Sequence, residues 1–231
     1  NILRELVEDD KELFAKDDAL AKDLVLKRRE KLRSFFDGVA NDWSAIREET
    51  HGKNALLDIV ATRLDKESIL LEVGCGSGSL LERTVPRIGA TIGVDSSPVM
   101  LEQAKSLKVL QDSGVDLRLG YLEHLPLKSA SIDIAVAFMV LHHLGDRLEA
   151  LKDIRRVLKD SGRFWIIELS KPDDALMQRR FGELWHTFTH EDLSNEVQCA
   201  GFKDLTVERI GDNGEATLII ATPDPFIKDE L

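Results

Sequence analysis

No apolar run in this 231-residue chain approaches the roughly 20 residues that a membrane-spanning helix requires, so no span is expected. Cysteine is nearly absent. Cys75 and Cys199 alone support neither a disulfide framework nor a cysteine-based metal cluster, and they suit a reducing compartment. Basic charge is in deficit: the net charge is −11 at pH 7, which argues against a general nucleic-acid surface. Internal repeats and low-complexity tracts are also missing, which excludes solenoids and flexible linker arrays. What remains is a length sufficient for one substantial α/β core with a small appendage.

The most informative stretch is Leu70-Leu71-Glu72-Val73-Gly74-Cys75-Gly76-Ser77-Gly78-Ser79-Leu80-Leu81. Ile69–Val73 reads as a short buried strand, and an apolar helical pattern follows the glycines at once. Glycines at a strand-to-helix turn let backbone approach a ligand, and a helix N-terminus offers free N–H groups beside it. A dinucleotide fingerprint needs Gly-x-Gly-x-x-Gly, with the third glycine at position 79. That residue is Ser79, and the third glycine comes one position early at Gly78. The spacing therefore disfavours a nicotinamide-dependent oxidoreductase.

Downstream, Thr91–Asp95 reads as a second strand ending in an acid, followed by Ser96-Ser97-Pro98 and a helix. An acid about 20 residues past a glycine loop is placed to accept from both hydroxyls of a ribose. Val115–Leu119, Ile132–Phe138 and Arg163–Leu169 read as further strands alternating with helices, which predicts a parallel sheet covered on both faces. Asp146-x-x-Glu149 predicts a capping box opening a helix that carries Leu148, Leu151, Ile154 and Leu158 and ends at Ser161-Gly162. Thr189-x-x-Asp192 predicts a second capping box, on a helix ending at Gly201. Leu205–Ile210 and Ala216–Thr222 flank Gly211-Asp212-Asn213-Gly214, which is hairpin chemistry.

Together these stretches resemble the class I S-adenosylmethionine (SAM)-dependent methyltransferases. Glu72 to Gly78 is similar to motif I, Val94 to Leu101 to motif II, Gly120 to Leu127 to motif III, and Asp133 to Leu144 to motif IV with its following turn. The resemblance implies a doubly wound, mostly parallel seven-stranded sheet, Rossmann-like, ending in an antiparallel hairpin. It also implies SAM as cofactor, held by Gly74, Cys75, Gly76, Asp95, Ser96, Met100, Leu122 and Phe138. Many relatives carry an acid at the second position of motif III; this chain has Tyr121. The backbone at Leu122 then becomes the expected adenine contact.

Residues 1–50 form an expected N-terminal helical appendage to a methyltransferase domain at 51–231. Apolar residues recur at helical spacing through Leu3, Leu6, Leu13, Leu20 and Leu24, a stripe suited to a homodimer or to the chain's own core. The basic triplet Lys27-Arg28-Arg29 reads as a solvated helix face. Gly52 to Leu64 reads as a further helix. Arg33 to Trp43, with its Phe35-Phe36-Asp37 core, resembles the segment before motif I in bacterial methyltransferases fused behind ArsR-type winged-helix repressors. That resemblance implies that Phe36 and Trp43 fold over the cofactor. The start at Asn1 is read as the trace of a removed segment. The ending Lys228-Asp229-Glu230-Leu231 spells an endoplasmic-reticulum retention signal, but no signal peptide precedes it, so a cytoplasmic location is expected.

Methyl transfer from a sulfonium needs positioning and water exclusion more than obligatory side chains. The catalytic residues stay open, with His143, His142, Glu123 and His186 as candidates if the acceptor must lose a proton. His186 and His190 sit four apart, but Thr189 interrupts any shared helix and no third ligand is evident, so no metal is expected. The scarcity of cysteine disfavours a thiophilic metalloid as acceptor. Two readings follow: transfer of a methyl group from SAM to a small molecule, or a SAM/S-adenosylhomocysteine (SAH)-binding module regulating an attached repressor without turnover.

Overall fold

The computed structural model describes residues 20, 23–51, 55–172 and 174–227. Leu3, Leu6 and Leu13 of the expected apolar stripe, Gly52 of the expected 52–64 helix and the Lys228–Leu231 ending lie outside them. Helix α1 spans 23–39, and a 3-10 turn at Ala40–Asp42 leads into α2, Trp43–His51. Leu20 and Leu24 are exposed. Helix α3, Ala55–Arg63, then enters the sheet domain. No described helix is long and apolar enough to cross a membrane.

The sheet has seven strands: β1 Ile69–Val73, β2 Ala90–Asp95, β3 Asp116–Leu119, β4 Ile132–Phe138, β5 Leu158–Leu169, β6 Phe202–Ile210 and β7 Ala216–Pro223. Their order is β3-β2-β1-β4-β5-β7-β6. The first five pair in parallel, and β7 runs antiparallel to both β5 and β6. Between the strands lie α4 Leu81–Thr84, α5 Pro98–Ser106, α6 Lys108–Gln111, α7 Leu148–Val157, α8 Asp174–Phe181 and α9 His190–Cys199.

Strand periodicity explains the two-sided core, because successive side chains point to opposite faces. Leu71, Val73, Phe164 and Ile166 pack on one face with Leu151 and Ile154 of α7. Leu70, Ile134, Trp165 and Ile167 pack on the other with Leu57 and Val60 of α3. Each such fully buried side chain contributes about 1.5–3 kcal/mol, so the alternation within each strand binds both helical layers.

Three local expectations need correction. Helix α7 begins after Arg147 with no side-chain cap. Asp146 Oδ1 instead accepts from Leu148 N at 3.1 Å, a tight local turn that leaves Glu149 outside the cap. That helix also ends at Val157 rather than at Ser161-Gly162. Strand β5 begins at Leu158, five residues earlier than expected, because Leu158 pairs with Ile132 before a register shift. The Thr189–Asp192 capping box forms as the spacing requires.

Candidate active site

The strand order reverses direction between β1 and β4, and ligands of open α/β sheets bind outside the carboxyl ends of strands at such a switch point. Val73 pairs with both Val94 and Ala137, so the ends of β1, β2 and β4 lie level there. A cleft of about 1000 Å³, counting its solvent-open part, occupies this place. All eight residues expected to hold the cofactor line it: Gly74, Cys75, Gly76, Asp95, Ser96, Met100, Leu122 and Phe138.

The floor is backbone. Gly74 N and Cys75 N donate to Val94 O at 2.8 and 3.1 Å, tying the glycine loop across to β2. Gly74, Gly76 and Gly78 all have positive φ, which explains why glycines stand there. A Cβ on Gly74 would overlap the Val140 side chain, whereas one on Gly76 would meet nothing nearer than Trp43 Nε1 at 3.7 Å. Asp95 braces the loop: Oδ2 accepts from Gly76 N and Oδ1 from Ser97 N, both at 2.8 Å. Burial raises its carboxyl above the usual range, while those backbone donors hold the rise back. Ser97 caps α5 by accepting from Met100 N at 3.0 Å.

Glu72, two residues before the loop, lines the cleft and is 4% exposed. Its Oε2 is buried with no hydrogen-bond partner. Burial, reinforced by the charge of Asp95, pushes its carboxyl well above the usual range. Leaving a buried carboxylate oxygen unpaired is costly, so this atom is suited to a donor on a ligand. Arg47 of α2 lines the same cleft, and burial lowers its guanidinium.

Helix α1 forms the roof. Arg29, Leu32 and Phe36 line the cleft from positions i, i+3 and i+7, one helical face. Phe36 meets Trp43 edge-on at 5.2 Å and His143 at 5.0 Å. Asp37 Oδ1 accepts from Ser97 Oγ at 2.6 Å, joining the roof to the cap of α5. The basic triplet is not a uniform solvated face. Lys27 pairs with Asp23 in solvent, Arg28 packs over Gly145, and Arg29 bonds Glu123 at 3.1 Å across the cleft mouth. The Arg29 guanidinium also sits 5.5 Å from the ring centroid of Tyr121, the residue replacing the motif III acid.

The wall after β4 is a side-chain construction. Met139 holds φ +53°, a costly backbone for a non-glycine residue. The turn is pinned by Glu168 of β5, whose Oε1 accepts from Val140 N and Leu141 N at 3.2 and 2.9 Å. Its Oε2 lies 2.6 Å from His142 Nδ1. His142 Nε2 is 3.1 Å from His143 Nε2, and His143 Nδ1 is 3.1 Å from Leu184 O. A carbonyl oxygen only accepts, so His143 Nδ1 carries a proton. The two Nε2 atoms face each other across one contact, so His143 Nε2 is engaged by His142 whichever ring carries the proton there. Burial pushes His143 well below the ordinary histidine range and His142 down to about 3.

Of the four candidate bases, Glu123 and His143 line the cleft. His142 and His186 line a separate cavity with Glu168, Trp185 and His190. His190 opens α9 and contacts Thr217 Oγ1 at 2.9 Å, so it shares no helix with His186. No cluster of three or more potential metal ligands occurs among the described residues. Sequence reasoning missed Arg29, Arg47 and Glu168. The heptad-like spacing of Arg29, Leu32 and Phe36 was the available signal for the first, and nothing local marked the third.

Residues 71–166 match the family described as a methyltransferase domain. Over that segment the chain is similar to methyltransferase domains. The chain is 36% identical, over 70% of its length, to a 37.1 kDa transposon-encoded protein of Streptomyces fradiae, and spans only 43% of that protein. It is 27% identical to a demethylmenaquinone methyltransferase of Lactiplantibacillus plantarum, covering 77% of this chain and 90% of the relative. An SAM-dependent methyltransferase structure from Thermotoga maritima superposes with a TM-score of 0.65 at 22% identity, covering 83% of this chain and 99% of that one. The chain thus carries the seven-stranded, mostly parallel, Rossmann-like fold of that structure, with a helical segment before the sheet.

Proposed function

We propose that the chain transfers the methyl group of SAM to a small-molecule acceptor. The observation that carries the reading is the buried, unpartnered Oε2 of Glu72 beneath a glycine loop that Asp95 braces. A zwitterionic amino-acid end fits that corner. Glu72 would accept from its ammonium, and Arg47, on the same cleft, would face its carboxylate. Asp95 would hold the ribose, since a carboxylate has about four acceptor sites and the backbone donors use two. Gly76 leaves open space for close approach, and Leu122, Met100, Tyr121 and Phe138 supply flat apolar surface.

The bound cofactor supplies an electrophilic methyl group whose transfer discharges a sulfonium. The protein's own part is to orient and to exclude water. Helices α1 and α2 do both, with Phe36 and Trp43 roofing the cleft and the Arg29–Glu123 bridge closing its mouth.

Calorimetric titration with SAH tests the reading. Wild type binds, and Glu72→Gln loses at least tenfold in affinity, because a charge-assisted hydrogen bond contributes about 1.5–3 kcal/mol. Absence of binding to wild type overturns the proposal. Binding without transfer to any acceptor turns it toward a cofactor-sensing module.

A further inference from the structure

The acceptor side of the cleft differs from the cofactor side in what it can do to a proton. The cleft extends from the end of β3 to the end of β4, three strand spacings or about 14 Å. Glu72, Cys75 and Asp95 sit at the glycine loop over β1 and β2. On the proposed reading the Glu72 oxygen and the remaining acceptor sites of Asp95 are taken by the cofactor's ammonium and ribose, and burial pushes the Cys75 thiol up, so none of the three is a ready base for the acceptor. Tyr121 and Glu123 stand past β3, at the opposite end from the β4 turn, with Glu123 bonded to Arg29. The remaining cations, Arg29 and Arg47, cannot accept a proton.

Beside the β4 turn the cleft is walled by Leu32, Phe36, Val140, Leu144 and His143. His143 is the one titratable group among them, and both its ring nitrogens are engaged: Nδ1 by Leu184 O and Nε2 by His142. The ring therefore offers the cleft carbon rather than a lone pair. Phe181 packs on it at 5.1 Å and Phe36 at 5.0 Å, so it is held as one more aromatic panel. A hydroxyl or ammonium acceptor with an ordinary high pKa would find no base here.

We propose, resting on the methyltransferase reading, that the acceptor is an aromatic molecule whose attacking oxygen or sulfur ionises unaided near neutral pH, an acidic phenol or aryl thiol. Such an anion needs no protein base, and the apolar wall strengthens its attraction to a sulfonium. In the step, a lone pair of the ionised oxygen or sulfur forms a bond to the methyl carbon. The methyl–sulfonium bond breaks with its electron pair remaining on that sulfur. The acceptor's proton has already gone to bulk water, so none moves in the step.

The test uses the whole chain with 4-nitrophenol and 4-nitrothiophenol as probes, against benzyl alcohol and benzylamine. First, 4-nitrophenol is added below its own pKa to protein saturated with sinefungin, whose ammonium replaces the sulfonium. The bound probe is expected to show the phenolate spectrum; a bound neutral phenol overturns the proposal. Second, SAH formation from SAM is followed against pH. Activity is expected to rise with ionisation of the probe, and its inflection is expected to move when 4-nitrophenol is exchanged for a more acidic dichloronitrophenol. Turnover of the alcohol or amine in preference to both probes, an inflection that stays with the protein, or no transfer to any probe overturns it. Failure of SAH to bind at all instead removes the methyltransferase reading beneath it.

Discussion

The two walls of the cleft are built from different materials. The β1–β2 wall is backbone, with three positive-φ glycines and two N–H groups on the Val94 carbonyl. The β4 wall is side chains, with Glu168 holding a strained turn and two histidines bonded in series to Leu184 O. A backbone wall admits a ligand closely and tolerates little substitution at its glycines. A side-chain wall can be remodelled, so it is the one suited to setting acceptor choice while the wall proposed to hold the cofactor stays constant.

The sharpest way to break the contrast is at Gly74. Gly74→Val places a branched side chain on Val140, at a φ that branched residues avoid, where the two walls touch. A loss of roughly 3 kcal/mol or more is expected in denaturant unfolding. Gly76→Ala has room and is expected to cost only about 1–2 kcal/mol, the αL penalty. Equal losses at the two glycines would show that the loop, not its contact with the β4 wall, sets the cost.

Asp95→Ala removes a brace as well as the proposed ribose acceptor. Two charge-assisted bonds to Gly76 and Ser97 vanish with it, so stability is expected to fall by about 2 kcal/mol alongside a tenfold or greater loss of SAH affinity. Calorimetry paired with thermal melting separates the two effects, and unchanged affinity would take Asp95 out of the site. Glu168→Gln sharpens the comparison from the other side. It keeps an oxygen for the Val140 and Leu141 amides but disturbs the bond to His142, and a loss of about 1 kcal/mol is expected with SAH affinity changed less than threefold. A large loss of SAH affinity would mean that the walls are one unit.

The remaining effect is in pH. His143 has a folded pKa depressed below its unfolded value, chiefly by burial. Its contribution to stability is therefore present above about pH 6.5 and is lost as pH falls toward its folded value. One such histidine costs up to about 1.4 kcal/mol per pH unit in that window. His143→Phe is expected to lose less melting temperature than wild type between pH 7.5 and 5.5; identical slopes would place the titration elsewhere.

How far each wall was legible follows from the same difference. Gly74, Gly76, Gly78 and Asp95 lie within a single strand–loop–helix–strand run, so spacing alone carries their geometry. The strand alternation likewise carried the sheet and its terminal hairpin. The Asp146–Glu149 cap was misread because one Asx-type turn competes with it locally, and energies that close are settled by packing. Arg29 looked solvated because its partner Glu123 is 94 residues away.

By itself, the sequence determined the class of fold, the place of the glycine loop and the acid that braces it. These depend on backbone conformations and periodicities that neighbouring residues impose. The tertiary structure alone decided which carboxylate oxygen stays unpaired, which face of α1 roofs the cleft and that His143 presents no free nitrogen. Each depends on groups distant in sequence, Glu168, Leu184 and Arg29 among them, that only the closed sheet brings into contact.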